Sequence, residues 1–290
     1  MKKNILNDPI NSETPYIFKF RTDALEFKID YKCENCIEGN FPQVGVTARE
    51  GIISLFRRPQ DKSWLYMNAY SKNSPVKFNM GDIIDSKTEY EVMLYGPILA
   101  DLTKLTIEMA DKYTMSIIKE YMVNKITIAG GIHSFGIGCT TTGMMFSNII
   151  GRKTNTIINN LAIYNNNHLK RYHEKYIEKN EEIAYSDICI LEIDSYLQKE
   201  ENVENYLDSI IKLFESKCNK LICWYALPNN NPKKRIINEI TKRYSANNNI
   251  IFEDCSFIYD EEHSDMCIYS NNFINDTANV LIYKQLKKWI

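Results

Sequence analysis

Between Val123 and Ile290, short apolar runs alternate with segments of helical periodicity, and this alternation most constrains the fold of the chain. The five runs are VNKITIAGG, TNTIINNLAI, SDICILEID, KLICWYALP and NNIIFEDCS. Each run is followed by a helical pattern. The sequence therefore predicts five βα units, which build a parallel sheet covered by helices on both faces.

The first part of the chain has a different period. From about residue 16 to residue 120, segments such as YIFKFRTDALEFKIDYK and EYEVMLYGPILADLTKLTIEM alternate polar and apolar residues around turn signals. This period-two pattern indicates a β-sandwich. We therefore expect two domains: a β-sandwich over residues 1–122 and an α/β domain over residues 123–290.

Composition excludes several classes of function. Among 290 residues, 35 Lys and Arg against 37 Asp and Glu give a net charge of −2, which argues against a nucleic-acid partner. No apolar run reaches the ~20 residues of a membrane span, and the first residues do not resemble a signal peptide. We expect a cytoplasmic protein with reduced thiols, no membrane partner and no cofactor. The Cys33/Cys36 pair lacks a second pair, so no structural zinc site is predicted.

In a parallel sheet of this kind, ligands bind beyond the carboxyl ends of the strands. The loops that follow strands one, two, three and five are therefore the candidate site. They span residues 131–139, 164–167, 194–196 and 255–273.

The segment GGIHSFGIGCTTTGMMFSNIIGR, after the first of these strands, resembles the first block of the SGNH (GDSL-type) hydrolases. Gly130, Gly136, Gly143 and Met144 are in register with that block. One branch of this family carries a β-sandwich ahead of the hydrolase domain. Three later segments resemble further sequence blocks of that branch: NLAIYNNN, SDICILEIDSY and INDTANVLIYKQL. The resemblance covers nearly the whole chain, and it implies a flavodoxin-like, three-layer α/β/α hydrolase domain.

The resemblance also identifies where this sequence departs from the family. In the family, a serine attacks an ester, a D-x-x-H histidine takes its proton, and backbone amides with an asparagine hold the oxyanion. Here the nucleophile position holds Ile132, and the other positions hold Ala162, Tyr196, Ser270 and Phe273. None of these side chains can perform the family's chemistry.

Other residues could have taken over that chemistry. Ser134 or Cys139 could serve as the nucleophile, Cys139 because it precedes a helix whose N-terminus would lower the pKa of its thiol. His133, or His263 of the D-x-x-H segment that begins at Asp260, could serve as the base. Adjacent residues of an extended segment point in opposite directions, which argues against a hydrogen bond between Ser134 and His133. The simpler interpretation of the other two candidates is a packed loop cysteine and an acidic surface loop with a solvated histidine.

Asp194 ends the third strand two residues after Glu192, so both carboxylates point to the same side. Asp194 is predicted to face the pocket. With His133 and His263 it could form a His/His/Asp metal constellation. Three such residues seldom converge, so the prediction is that no metal is bound.

Two functional hypotheses remain open at the level of sequence. The first is a divergent, non-catalytic protein that binds a small acyl or carbohydrate ligand. Its binding pocket would be lined by Gly131 and by the residues at the family's catalytic positions that are apolar or aromatic here: Ile132, Ala162, Tyr196 and Phe273. The second is an active esterase or acyltransferase with a relocated nucleophile.

Overall fold

The computed structural model describes residues 2–4, 17–37, 44–58, 60–71, 75–81, 83–85, 88–118, 125–163, 176–178, 180–194, 203–269 and 273–290. The chain divides into two compact units. Unit 1 comprises Met1–Tyr121 and Cys139–Gly143, and unit 2 comprises Met122–Gly138 and Met144–Ile290. No helix in the described segments combines the length and the apolar character that crossing a bilayer requires.

Unit 1 contains two antiparallel sheets that share one core. The strands are β1 (Lys2–Asn4), β2 (Ile17–Thr22), β3 (Glu26–Glu34), β4 (Gly51–Arg57), β5 (Leu65–Ser71), β6 (Val76–Asn79), β7 (Tyr90–Tyr95), β8 (Asp101–Met109) and β9 (Met115–Ile117). A short helix, α1 (Val46–Glu50), precedes β4. The strand orders are β1-β8-β3-β6 and β5-β4-β7-β2-β9.

The alternating pattern predicted this sandwich. Side chains of β3 and β6 alternate between buried and exposed, so each strand turns one face to the core. Phe20 of β2 and Phe27 of β3 meet edge to face, with ring centroids 5.9 Å apart, although their strands belong to different sheets. The turn between β2 and β3 therefore carries the chain from one sheet to the other.

Unit 2 contains the predicted five-stranded parallel sheet. Its strands are β10 (Lys125–Ala129), β11 (Ile157–Asn160), β12 (Ser186–Glu192), β13 (Cys218–Tyr225) and β14 (Ile250–Asp254). They are parallel throughout and follow the order β11-β10-β12-β13-β14. In the sheet, β11 lies next to one edge of β10, whereas β12, β13 and β14 follow from its other edge. The carboxyl end of β10 is therefore the switch point where ligands bind in such sheets.

Helices cover both faces of this sheet. The described helices are α2 (Ile132–Phe135), α3 (Phe146–Thr154), α4 (Val203–Glu215), α5 (Lys234–Arg243), α6 (Ser264–Cys267) and α7 (Asp276–Leu286). One apolar core joins the sheet to α4 and α5, and a second joins it to α3 and α7. The side chain of Asn275 accepts a hydrogen bond from Ala278 N and caps α7. The three-layer α/β/α fold is confirmed.

Candidate functional site

The turn after β10 is helical where the sequence predicted a loop. Ile132 to Phe135 form the four-residue helix α2, and Gly136 ends it with a φ of 96°. Gly130, which joins β10 to this turn, has a φ of 143°, and a Cβ atom there would lie 2.4 Å from Glu192 Cβ. A side chain cannot be placed at residue 130, so α2 lies directly against the end of β12.

Three ionisable side chains meet at this point. The Nδ1 atom of His133 lies 3.7 Å from Glu192 Oε1 and 3.9 Å from Asp194 Oδ2. Each of the three residues offers a ligand atom within 4.8 Å of those of the other two. Glu192 is completely buried, and His133 and Asp194 are 8% and 9% exposed. We call these three residues the His–Glu–Asp cluster.

Backbone hydrogen bonds fix the two carboxylates. Glu192 Oε2 accepts from the amide of Ser134 at 2.6 Å, which ties the end of β12 to α2. Asp194 Oδ2 accepts from the amide of Ala226, directly after β13, at 3.1 Å. Each carboxylate therefore accepts a hydrogen bond from the backbone of a neighbouring segment, and this bond fixes its orientation toward His133.

Asn160 and Tyr176 tie the neighbouring chain segments to the same turn. Asn160, at the end of β11, donates from Nδ2 to Ser134 O at 3.0 Å. The hydroxyl of Tyr176 accepts from Gly130 N at 3.0 Å and donates to Leu161 O at 2.8 Å. Tyr176 is buried. The α2 turn is thus held by side chains from two further segments.

An indole lies on the same face of the sheet as the cluster. Trp224 of β13 is in register with Glu192 of β12, so both side chains point to one face. The ring centroids of Trp224 and His133 are 6.5 Å apart, and Phe146 contacts the indole edge to face at 5.2 Å. The indole is completely buried, and its Nε1 has no hydrogen-bond partner among the described residues.

Tyr259 lies close enough to the cluster to experience its charge. Burial raises the pKa of the Tyr259 hydroxyl, and the carboxylates of Asp194 and Glu192 raise this pKa further. The hydroxyl is therefore protonated and neutral at every physiological pH. A partly buried neutral donor of this kind can supply a hydrogen bond without adding charge.

The two candidate nucleophiles are both buried. Ser134 and Cys139 have no exposed surface. The Ser134 hydroxyl has no hydrogen-bond partner among the described residues, so no described base accepts its proton.

Asp260 and His263 form a turn rather than a side-chain pair. The carbonyl of Asp260 accepts from His263 N at 3.0 Å, and its carboxylate accepts from Asn229 Nδ2 at 2.9 Å. The His263 ring contacts Phe257 edge to face at 5.8 Å, and its Nδ1 has no partner among the described residues. Within the part of the chain that the structure describes, the His–Glu–Asp cluster includes neither residue.

The structure describes four of the five predicted ligand-binding residues. Gly131 is the N-terminal cap of α2, and Ile132 is its first residue and half-buried. Ala162 is buried, and its amide donates to Asn160 Oδ1 at 3.0 Å. Phe273 is half-buried, and its carbonyl accepts from Tyr269 N. Tyr196 and Ser270 lie outside the described residues.

Four residues of this region were not singled out by the sequence analysis: Glu192 as a member of the cluster, Asn160, Tyr176 and Trp224. Glu192 had a usable signal, because it shares the side of Asp194 on one strand. Asn160 ends a strand beside the switch point, which is a second signal. Tyr176 and Trp224 had none, because one stands in a polar segment and the other in an apolar run.

Comparison with known proteins establishes the fold. No protein-family model and no curated protein matches the sequence. Among solved structures, a GDSL-like lipase from Bacteroides ovatus ATCC 8483 has a TM-score of 0.72 and 16% identity, over 94% of this chain and 82% of that chain. A family two carbohydrate esterase from Clostridium thermocellum, in complex with cellohexaose, has a TM-score of 0.62 and 10% identity, over 96% and 92%.

A third similar structure is a carbohydrate esterase whose active site is described as displaying divergent catalytic and non-catalytic binding functions. It has a TM-score of 0.57 and 8% identity, and the match covers 100% of this chain and 94% of that one. The chain therefore shares its fold with a GDSL-like lipase and with carbohydrate esterases, and this is the SGNH-hydrolase fold that the resemblance implied.

Proposed function

We propose that this protein is a non-catalytic SGNH-like protein that binds a small carbohydrate or acyl ligand at the α2 turn. The observation that carries the proposal is Ile132. The family resemblance puts the nucleophile at this residue, and isoleucine has no atom that can attack an ester. Ile132 begins α2 at the carboxyl end of β10, where a ligand of this fold would be reached.

Burial of the alternative nucleophiles supports a non-catalytic site. A nucleophile must approach within about 3–3.5 Å of the reacting carbon. Ser134 and Cys139 are completely buried, and no described base contacts the Ser134 hydroxyl. An ester could reach either atom only after local opening of the chain.

The chemistry of the surrounding residues favours a sugar or an acyl chain. Ile132 and Phe273 are half-buried and present apolar surface. Sugar rings and acyl chains have apolar faces that pack on such side chains. A structural neighbour was solved with cellohexaose, and the active site of another displays divergent catalytic and non-catalytic binding functions. Both findings are compatible with the proposal.

Calorimetric titration with cellohexaose and a hydrolysis assay with p-nitrophenyl acetate test this proposal together. We expect saturable binding of the oligosaccharide and no hydrolysis above the buffer rate. Ile132→Trp should weaken binding by about tenfold or more, which corresponds to ~1.4 kcal/mol. Ile83→Trp is the matched control, because Ile83 is 50% exposed in unit 1.

Hydrolysis that disappears in Cys139→Ala or Ser134→Ala would refute the proposal and support the relocated-nucleophile alternative, with His133 or His263 as its base. Covalent labelling of Ser134 by a fluorophosphonate, or of Cys139 by iodoacetamide, in the folded protein would lead to the same conclusion.

A further inference from the structure

The His–Glu–Asp cluster contains one imidazole nitrogen and two carboxylate oxygens that converge on one point. His133 Nδ1 lies 3.7 Å from Glu192 Oε1 and 3.9 Å from Asp194 Oδ2. Two ligands at about 2.1 Å from a tetrahedral zinc ion are about 3.4 Å apart. Side-chain movements of a few tenths of an ångström would bring both carboxylate oxygens to that spacing from His133 Nδ1. The ligand atoms of all three residues lie within 4.8 Å of one another.

The carboxylates are already oriented for such an ion. Glu192 accepts from the Ser134 amide with Oε2, and its Oε1 lies 3.7 Å from His133 Nδ1. Asp194 is anchored through the Ala226 amide. Supporting hydrogen bonds of this kind are typical of metal-binding carboxylates, because they fix the ligand before the ion arrives.

The charges of the cluster also favour a dication. With a neutral imidazole, Glu192 and Asp194 contribute two negative charges at a place where Glu192 has no exposed surface. A divalent cation bound by both carboxylates and by the neutral imidazole brings the sum of charges to zero.

Two buried polar atoms provide an independent indication of an occupant. Ser134 Oγ and Trp224 Nε1 have no hydrogen-bond partner among the described residues, and both side chains are completely buried. Ser134 follows His133 in α2, and Trp224 shares the sheet face of Glu192. Buried polar groups are nearly always satisfied. A water or hydroxide on a metal ion in the cluster would be a suitable partner for them.

We propose that His133, Glu192 and Asp194 form a binding site for a divalent transition-metal ion of the zinc class. An imidazole with two carboxylates is a ligand set that zinc, cobalt and manganese accept. This site does not depend on the proposed binding of a sugar or acyl ligand.

Cobalt(II) is the first probe, because its absorption spectrum reports the ligand atoms. The measurements use the reduced 290-residue protein with Cys36→Ser, which removes the exposed thiol of the Cys33/Cys36 pair. We expect one equivalent of Co²⁺ with visible ligand-field bands and without the near-ultraviolet thiolate charge-transfer band. Zn²⁺ should displace Co²⁺, and at 100 times its Kd should raise the Tm by roughly 5–10 °C.

Three substitutions assign the site. They are His133→Gln, Glu192→Gln and Asp194→Asn. Loss of a contact that only supports a ligand weakens metal binding by about 10–100-fold, and we expect each of these variants to weaken Co²⁺ binding by more than that. The two amide variants keep a hydrogen-bond acceptor for Ser134 N or Ala226 N, so they report on the ion even if His133→Gln fails to fold. His263→Gln is the matched histidine control and should bind normally.

Three results would overturn the proposal. The first is no Co²⁺ or Zn²⁺ binding at millimolar metal by the folded protein. The second is a thiolate band in the Co²⁺ spectrum. The third is unchanged affinity in folded Glu192→Gln and Asp194→Asn. If the protein binds the metal ion but no sugar, the proposed function is contradicted and this metal site remains supported.

Discussion

The amide of Ser134 donates to Glu192 Oε2 at 2.6 Å, and this bond joins the turn after the first strand of the parallel sheet to the end of the third. Both residues are completely buried. The bond therefore holds α2 against β12 without competition from water. It also determines which oxygen of Glu192 faces His133.

Glu192→Ala should destabilise the protein by ~1–3 kcal/mol, because the Ser134 amide would be left buried without its acceptor. Glu192→Gln retains an acceptor oxygen, so its loss of stability should be smaller. Urea denaturation measures both free energies of unfolding. Glu204→Ala, on the exposed side of α4, is the control. Equal losses in the Ala and Gln variants would contradict the assigned role of the bond.

Tyr176→Phe should also destabilise the protein by ~1–3 kcal/mol, because the hydroxyl is the buried partner of Gly130 N and Leu161 O. Tyr185→Phe is a closely matched control. Its hydroxyl bonds Asn219 Oδ1 at 2.8 Å, but the side chain is 57% exposed, so we expect a change within about 0.5 kcal/mol. Similar midpoints of urea denaturation for the two variants would contradict this interpretation.

The fold was largely predictable from the sequence, and the reason is visible in particular segments. Runs such as SDICILEID are long, apolar on both faces and bounded by helical patterns, so each local signal agreed with the parallel sheet. The α2 turn was harder. Its four residues lie in a glycine-rich stretch without helical periodicity, and the bond from Ser134 N to Glu192 helps to hold it, a contact 58 residues away in sequence.

The site was predictable only at the level of strand ends. The rule that side chains gather at the carboxyl edge placed His133 and Asp194 in one region, and the structure brings them within 3.9 Å. Spacing alone indicated an Asp260–His263 pair, whereas the described bonds of Asp260 form a turn. The contribution of Tyr176 depends on how its helical segment packs, and local sequence does not encode that.

Cysteine reactivity should follow burial closely. Cys36 is exposed, whereas burial raises the pKa of the Cys33 thiol to about 12 and raises the pKa values of Cys223 and Cys255 above their usual range. Brief treatment of the folded, reduced protein with iodoacetamide should therefore label Cys36 first. Peptide mass spectrometry measures this order. Rapid labelling of Cys223 or Cys255 would show that the sheet opens more readily than its packing indicates.

Glu91 should make the stability of the sandwich pH-dependent. Burial raises the pKa of the Glu91 carboxyl, but hydrogen bonds from Arg21 and Arg57 outweigh it and leave the pKa below its usual 4.5. A carboxyl whose pKa is lower in the folded than in the unfolded state stabilises the fold above the unfolded pKa. That contribution is lost as the pH falls through the folded pKa.

We therefore expect Glu91→Gln to lower the free energy of unfolding at pH 7 and to have a diminishing effect as the pH falls below about 4.5. Urea titrations of the parent protein and of Glu91→Gln across this pH range measure the free energies of unfolding. Hydrogen–deuterium exchange of peptides from β7 reports the stability of unit 1 separately. Glu26→Gln is the control, because Glu26 forms only an exposed ion pair with Lys77 among its described contacts. An effect of Glu91→Gln that is equally large at pH 3 and pH 7 would show that the Arg21 and Arg57 contacts do not depend on the carboxylate charge.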